Sequence, residues 1–289
     1  MMWGTAMRVT LLLSSLVCSS ASVSAADADD VLALVEQYND SSAATLTLPR
    51  PSDEQLERLV SGDVISFRNR TPMGDTGQMI FRVVALALVP EDRLRLWVAT
   101  LGSVEQNASR LVEIKLRQEG GAAVWYQFVN LPWPVADRHW TIRSRARTDV
   151  AASTGVWWEH GWTLAAGGEQ MAREVVDRNE AADLTMRQFE RAVYLPANDG
   201  GWLMARADET MTLVAVHATA ELGGGLPDSW VARYVARQLR AQIGKMRTRA
   251  GGAEAIVAAS PQIFTGLGER VDPAMLADQD FSCRTNNRC

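Results

Sequence analysis

The segment that most constrains this chain lies at residues 228–249, where Trp230, Val231, Tyr234, Val235, Leu239, Gln242, Ile243 and Met246 recur at steps of three and four. That spacing predicts one long helix with a single apolar stripe, while Arg233, Arg237, Arg240 and Arg247 fall mainly off it. Ahead of it run stretches of strand composition at 64–67, 79–89, 110–118, 123–130, 139–147, 155–164, 201–207 and 210–220. Gly, Pro and polar turns separate them, as in an antiparallel meander. A long helix with one apolar face must bury it, and the concave face of such a sheet is the surface available. The expected class is α+β, a curved antiparallel sheet wrapped around a C-terminal helix.

Shorter helices are expected at 29–39 and at 53–61, the second with Ser52 as N-cap and Gln55 as its capping-box partner, ended by Gly62. Pro90 stops the strand before it, and Glu91 and Asp92 open a helix carrying Leu94, Trp97, Val98 and Leu101. The charged segment 167–191 reads as a helical insertion or lid, or as a solvated connecting helix. Residues 250–289 read as an appendage with one short helix and a polar end.

At the N-terminus, Arg8 precedes an apolar run through Leu11, Leu12 and Leu13, closed by Ser24, Ala25 and Ala26 before the acids at Asp27. This is the pattern of a cleaved export signal over 1–25, with Met7 as the start, and it predicts secretion across an inner membrane into the periplasm. Removal of Cys18 would leave Cys283 and Cys289, either one terminal disulfide loop or two exposed thiols. With 47% hydrophobic and 22% charged residues the chain has the composition of a folded domain rather than a disordered one, and a net charge of −5 disfavours nucleic acid as a partner. Ten tryptophans against four tyrosines is the compositional oddity.

Strand alternation groups side chains by face. One face would hold Trp140, Ile142, Ser144 and Ala146; a second set is Val124, Tyr126 and Phe128. A third is Val156, Trp158, His160, Trp162 and Leu164, and a fourth Thr212, Val214, Val216 and Ala218. These four sets are expected to point inward, with Trp125 and Trp157 outward. Pattern alone leaves open whether they fill a solid core or line a cavity. His139, His160 and His217 match no metal-ligand spacing, and no nucleophile elbow, P-loop or dinucleotide fingerprint occurs, so neither metal nor cofactor is expected. Gly223, Gly224 and Gly225 read as a plain turn. His160 could donate a hydrogen bond to a ligand hydroxyl or be a core histidine bonded to its neighbours.

The stretch Leu131-Pro132-Trp133-Pro134-Val135-Ala136-Asp137-Arg138-His139-Trp140 resembles the P-W-P-x-x-x-R-D-F signature of START domains, the steroidogenic acute regulatory protein-related lipid-transfer family. Glu221 through Trp230, with Gly225, Pro227 and Trp230, is similar to that family's turn into its C-terminal helix, and Val112-Glu113-Ile114-Lys115 matches more weakly the strand before the first signature. The likeness covers about residues 62–249 and implies a helix-grip fold enclosing an apolar tunnel for one lipid. It departs at His139 and Glu221, where the family carries Asp, and at Ser144, where some members place an Arg that pairs with the strand acid at Glu113. The division expected is a signal at 1–25, a helical segment at 26–61, the START-like domain at 62–249 and an appendage at 250–289.

The resemblance turns the inward sets into candidate ligand contacts: Glu113, Tyr126, Phe128, Trp140, Ile142, Ser144, Trp158, His160, Trp162, Val214 and Val216 from the sheet, and Val231, Tyr234, Val235 and Leu239 from the helix. The expected partner is a lipid, fatty acid or sterol-like molecule, released at a membrane surface when the helix or a loop moves. A cyclase or hydrolase on the same fold is the alternative. It would need a convergent acid–base pair, for which only Glu113 with His160 offers itself. A third reading is an interaction domain with a filled core.

Overall fold

Two capping boxes set the first helices. Asp27 with Asp30 starts α1 (Ala28–Asn39), and Ser52 with Gln55 starts α2 (Asp53–Val60). In each, the cap side chain accepts from a backbone N–H of the first turn while the partner side chain reaches back to the cap's own N–H, so two orphan donors are satisfied together. The computed structural model describes residues 26–72, 79–101, 111–119, 121–181, 184–222, 228–260 and 262–277. The expected export signal at 1–25, the expected turn at Gly223, Gly224 and Gly225, and Cys283 and Cys289 lie outside the described residues.

Strands β1 (Ile65–Pro72) and β2 (Met79–Val89) follow, then α3 (Arg93–Leu101), whose first turn is held by the Asp92 carboxylate accepting from the Leu94 N–H at 2.7 Å. Next come β3 (Leu111–Glu119), β4 (Ala122–Val129), β5 (Arg138–Ala146), a short α4 (Thr148–Thr154), and β6 (Trp157–Leu164). The charged insertion forms α5 (Gly168–Asp177) and α6 (Met186–Arg191) before β7 (Val193–Tyr194), β8 (Ala197–Arg206) and β9 (Thr212–Glu221). The long helix α7 (Asp228–Ala250) is followed by α8 (Ala253–Ala259) and α9 (Ala274–Ala277). One sheet runs in the order β1-β2-β9-β8-β6-β5-β4-β3, antiparallel throughout, with the two-residue β7 adding a parallel pair to β5. The β2–β9 pairing joins the early and late parts of the chain and makes the sheet continuous.

Both faces are covered. On the inner face Val83, Ala85, Val214, Val216, Met204 and Trp158 pack with α3 and with Leu239, Ile243 and Met246 of α7. On the outer face Val84, Leu86, Leu203, Leu213, Ala215 and Trp157 lie under α1 and α2. Trp157 is fully buried there, edge-on to Tyr38 with centroids 5.4 Å apart, and its indole N–H donates to the Leu34 carbonyl at 3.0 Å. Beside them Glu159, 1% exposed, accepts from the Tyr38 hydroxyl at 3.2 Å and the Thr45 hydroxyl at 3.0 Å, with Arg147 at 3.9 Å. Burial dominates and pushes the Glu159 carboxyl above its ordinary value.

A second outer layer corrects one expectation. Tyr126 and Phe128 face outward and are buried against Ala172, Val175, Val176 and Phe189 of α5 and α6. Val124 shares their face, and Trp125 points inward, because Trp125 pairs with Ile142 and Tyr126 with Thr141. Alternation shows which residues share a face but not which face it is. With α5 and α6 packed outside, β4 is apolar toward its outer side. Segment 167–191 is accordingly a packed layer rather than a solvated connection.

The segment after α7 also packs inward. Val257, Ile263, Val271 and Leu276 join the same cluster as α7, and the Trp97 indole N–H donates to the Phe264 carbonyl at 2.8 Å. Gly266 lies flat on Trp158; a Cβ there would come within 2.2 Å of the ring.

Candidate functional site

Following the register across β3, β4, β5, β6, β8 and β9 places Glu113, Trp125, Gln127, Trp140, Ile142, Ser144, Trp158, His160, Trp162, Trp202, Val214 and Val216 on the inner face. Helix α7 packs on β1, β2, β9 and α3. It covers the face unevenly. Val214, Val216 and Leu239 are packed solid at 0%, 0% and 3% exposure, whereas Glu113, Trp140, His160, Trp162, Trp202, Tyr234 and Val235 remain half-buried. Ile142, Ser144, Trp158 and Val231 fall between these extremes at 5–8%. The sheet thus carries a belt of indoles that the helix does not close over.

At one end of this belt the polar groups form a chain. The Trp140 indole N–H donates to the Gln127 side-chain oxygen at 2.6 Å, and the Gln127 amide donates to the Glu113 carboxylate. Trp230 and Tyr234 stack nearby, 5.5 Å apart and 6° from parallel, in a cluster with Trp140, Val231, Val235, Leu195 and Leu222. Sequence alternation assigned Gln127 to the wrong face together with Trp125, and so missed the amide that links Glu113 to Trp140.

At the other end Trp158 is sandwiched. The Arg93 guanidinium lies 4.0 Å over its ring and Trp97 meets it edge-on at 5.4 Å. His160 sits 6.1 Å from Trp97, edge-on. Burial pushes the His160 imidazole down to about 4, so it is neutral across the physiological range. It stays half-buried on the inner face of the sheet. Between the two ends the Trp162 indole N–H donates to Asn198 at 3.2 Å, and its ring lies against Gly200.

The three histidines do not converge. His139 is buried on the outer side against Phe189 at 4.5 Å and Tyr194 at 5.2 Å, with burial pushing it down to about 4. His217 faces outward beside Gly201 and is pushed down to about 3. Glu113 and His160 share the inner face, but β4 and β5 lie between their strands. Three strand spacings combined with their offset along the strands put them on the order of 20 Å apart. They form no acid–base pair. A separate cleft of about 560 Å³ lies by the start of α5, lined by Leu164, Gly168, Glu169, Arg173 and Tyr194.

A curved antiparallel sheet, closed in chain order by β9 and gripped on one face by the long helix that follows, is a helix-grip architecture. Among solved structures the chain is similar to START-domain proteins: human StAR-related lipid transfer protein 5, at 12% identity over 78% of this chain and 97% of that one with a TM-score of 0.48, and a STAR-related lipid transfer protein from Xanthomonas axonopodis, at 12% over 70% and 97% with a TM-score of 0.47. It is similar also to the Zhui aromatase/cyclase of a Streptomyces species, at 15% identity over 62% and 97% with a TM-score of 0.37. No family model matches the sequence, and no curated protein matches it.

Proposed function

We propose that this chain carries one apolar ligand, a lipid, fatty acid or sterol-like molecule, held between the inner face of the sheet and α7, and that it does so in the periplasm after export. The observation that carries the reading is the uneven cover of that face. A domain with no cargo has reason to pack its indoles solidly, as Trp97 and Trp157 are packed, yet Trp162 and Trp202 are left half-accessible beside a desolvated, neutral His160, and Trp140 likewise at the Glu113 end.

Affinity would come from hydrocarbon laid along these rings. At about 25 cal/mol per Å², roughly 300 Å² of ligand surface contributes about 7 kcal/mol before the losses of association. The chain Trp140–Gln127–Glu113 places the polar groups at one end, so a ligand with one polar head and an apolar body has a preferred direction in the cleft. Exchange requires α7 to lift at its Trp230–Tyr234 end.

The test is extraction of the protein purified from its native host, followed by mass spectrometry of the bound species and titration of stripped protein with fatty acids, phospholipids and sterols. Recovery of one apolar class at near-equal stoichiometry is the expected result. Protein that arrives empty and then binds nothing in the panel overturns the reading.

A further inference from the structure

Helix α7 carries a second line of residues besides its apolar stripe. Arg233, Arg237, Arg240, Gly244 and Arg247 follow one another at steps of four, three, four and three, and all five are exposed. That alternation keeps them on one line for about 21 Å, the line that a second helix laid alongside would meet. No Asp or Glu follows Asp228 in α7. The guanidinium groups find neutral neighbours: Arg233 donates to the Ser229 carbonyl at 3.1 Å and Arg240 to the Ser66 hydroxyl at 3.0 Å, while Arg237 lies 5.9 Å over the Tyr234 ring. Among the described residues none of the four arginines has an acidic partner, although the whole chain has a net charge of −5.

Gly244 has no internal use. It sits within a 23-residue helix, where glycine is less stable than alanine, and a Cβ there would meet nothing within 4 Å. Its bare backbone borders a cleft of about 450 Å³ between α7 and the turn before α3, lined by Pro90, Glu91, Gly244, Arg247 and Thr248. A complementary line runs along α1. Asp29, Ala33, Glu36 and Asp40 recur at steps of four, three and four, all exposed, on the side away from the buried Val31, Val35 and Tyr38. Glu36 holds Arg50 at 2.7 Å, an exposed pair that yields easily. An anionic membrane fits the arginine line less well. Among the described residues α7 exposes no large apolar side chain, and its apolar face is turned to the sheet.

We propose that α1 of one copy of this chain docks along the arginine line of α7 in a second copy. Set parallel, the two lines share a step of four and then three: Asp29 meets Arg240, Ala33 meets Gly244, and Glu36 meets Arg247. Each acid lies on an arginine, and the small residue lies on the glycine. Because α1 covers the outer face of the sheet and α7 the inner one, the contact is head-to-tail and repeats from copy to copy. Two helices of this length bury less than the roughly 1,200 Å² of a stable complex, so the association is weak and salt-sensitive. The inference goes beyond the ligand-carrying reading and does not depend on it.

The experiment is sedimentation velocity of the full chain from about 5 to about 500 μM, at low salt and at about 0.5 M salt. Wild type sediments faster as its concentration rises at low salt, and as a monomer at high salt. Arg247→Glu alone and Glu36→Arg alone each weaken association about tenfold, since like charges then meet. The double variant Glu36→Arg with Arg247→Glu recovers it, because the exchanged charges match again. An equal mixture of the two single variants keeps one good contact per pair and stops at a dimer. Gly244→Gln, which fills the cleft, weakens association about tenfold with a melting temperature no lower than wild type. All three positions are exposed, so unchanged melting of the charge variants separates lost contact from lost fold. Wild type that stays monomeric at every concentration overturns the proposal. It does so even if the chain then binds a glutamate-rich helical peptide or anionic vesicles, which would put another protein or a membrane on α7. Single variants that associate like wild type, or a double variant that does not recover, overturn it as well.

Discussion

Two glycines in neighbouring strands give the sharpest test of the inner face. Gly200 of β8 lies under Trp162, and a Cβ placed on it would come 2.2 Å from the ring and 2.5 Å from the backbone oxygen of His217. The ring could swing aside, but only by giving up its 3.2 Å hydrogen bond to Asn198. The carbonyl belongs to β9 in mid-sheet and cannot move without disturbing the ladder. Gly200→Ala is therefore an overpacking change, costing about 1–3 kcal/mol, with about 1 kcal/mol more if the indole loses its partner. Gly161 of β6 points to the opposite face, where a Cβ would meet nothing closer than Glu159 at 3.5 Å. Gly161→Ala should be neutral, or stabilising by about 0.4–1 kcal/mol through the unfolded chain. Urea unfolding of both variants measures the contrast, and near-UV circular dichroism reports the displaced indole in Gly200→Ala alone. Since Trp162 borders the proposed ligand site, that variant should also carry less ligand if the proposal holds. Equal stabilities for the two variants would refute the placement of Trp162 on Gly200 and, with it, this part of the proposed ligand site.

The buried carboxyl of Glu159 makes stability depend on pH. Its folded pKa is raised by burial above the ordinary 4.5, so its contribution is full at low pH and is lost as pH rises through the raised value. Thermal melts from about pH 4 to about pH 8 should show wild type losing stability across that window and Glu159→Gln losing less; parallel curves would contradict the assignment. Phe189, 2% exposed, is the residue that fastens α6 to Tyr126 and His139. Phe189→Ala should cost about 3–5 kcal/mol in urea unfolding and raise amide exchange over α5 and α6, whereas a loss below about 1 kcal/mol would mean that this layer is only loosely attached.

What could be read from the sequence was local or periodic. Ser52 with Gln55 announces a helix because both partners of the capping box lie within one turn, and the α7 stripe announces a buried face because helical period needs no knowledge of the partner. The facing of β4 could not be read that way. Tyr126 and Phe128 alternate as an inward set would, and only the presence of α5 and α6 on the outside shows where they point. Gln127 was lost by the same error. Helix α4 has seven residues and its one punctuation is Gly155 in the left-handed region, a signal too short to outweigh a strand reading on either side. The inward fold of residues 253–277 rests on scattered apolar residues, Val257, Ile263, Val271 and Leu276, and on contacts such as Trp97 to Phe264, which leave no periodic trace.

The lid that Gly266 and Phe264 place on Trp158 and Trp97 carries a consequence for how the interior is closed. Chain that follows α7 completes the wall at that end, so a sheet and gripping helix without it would leave the indole pair uncovered. Shortening the polypeptide to end with α7 would open the interior at the end opposite Trp133, and the later stretch, folded back, is what shuts that end.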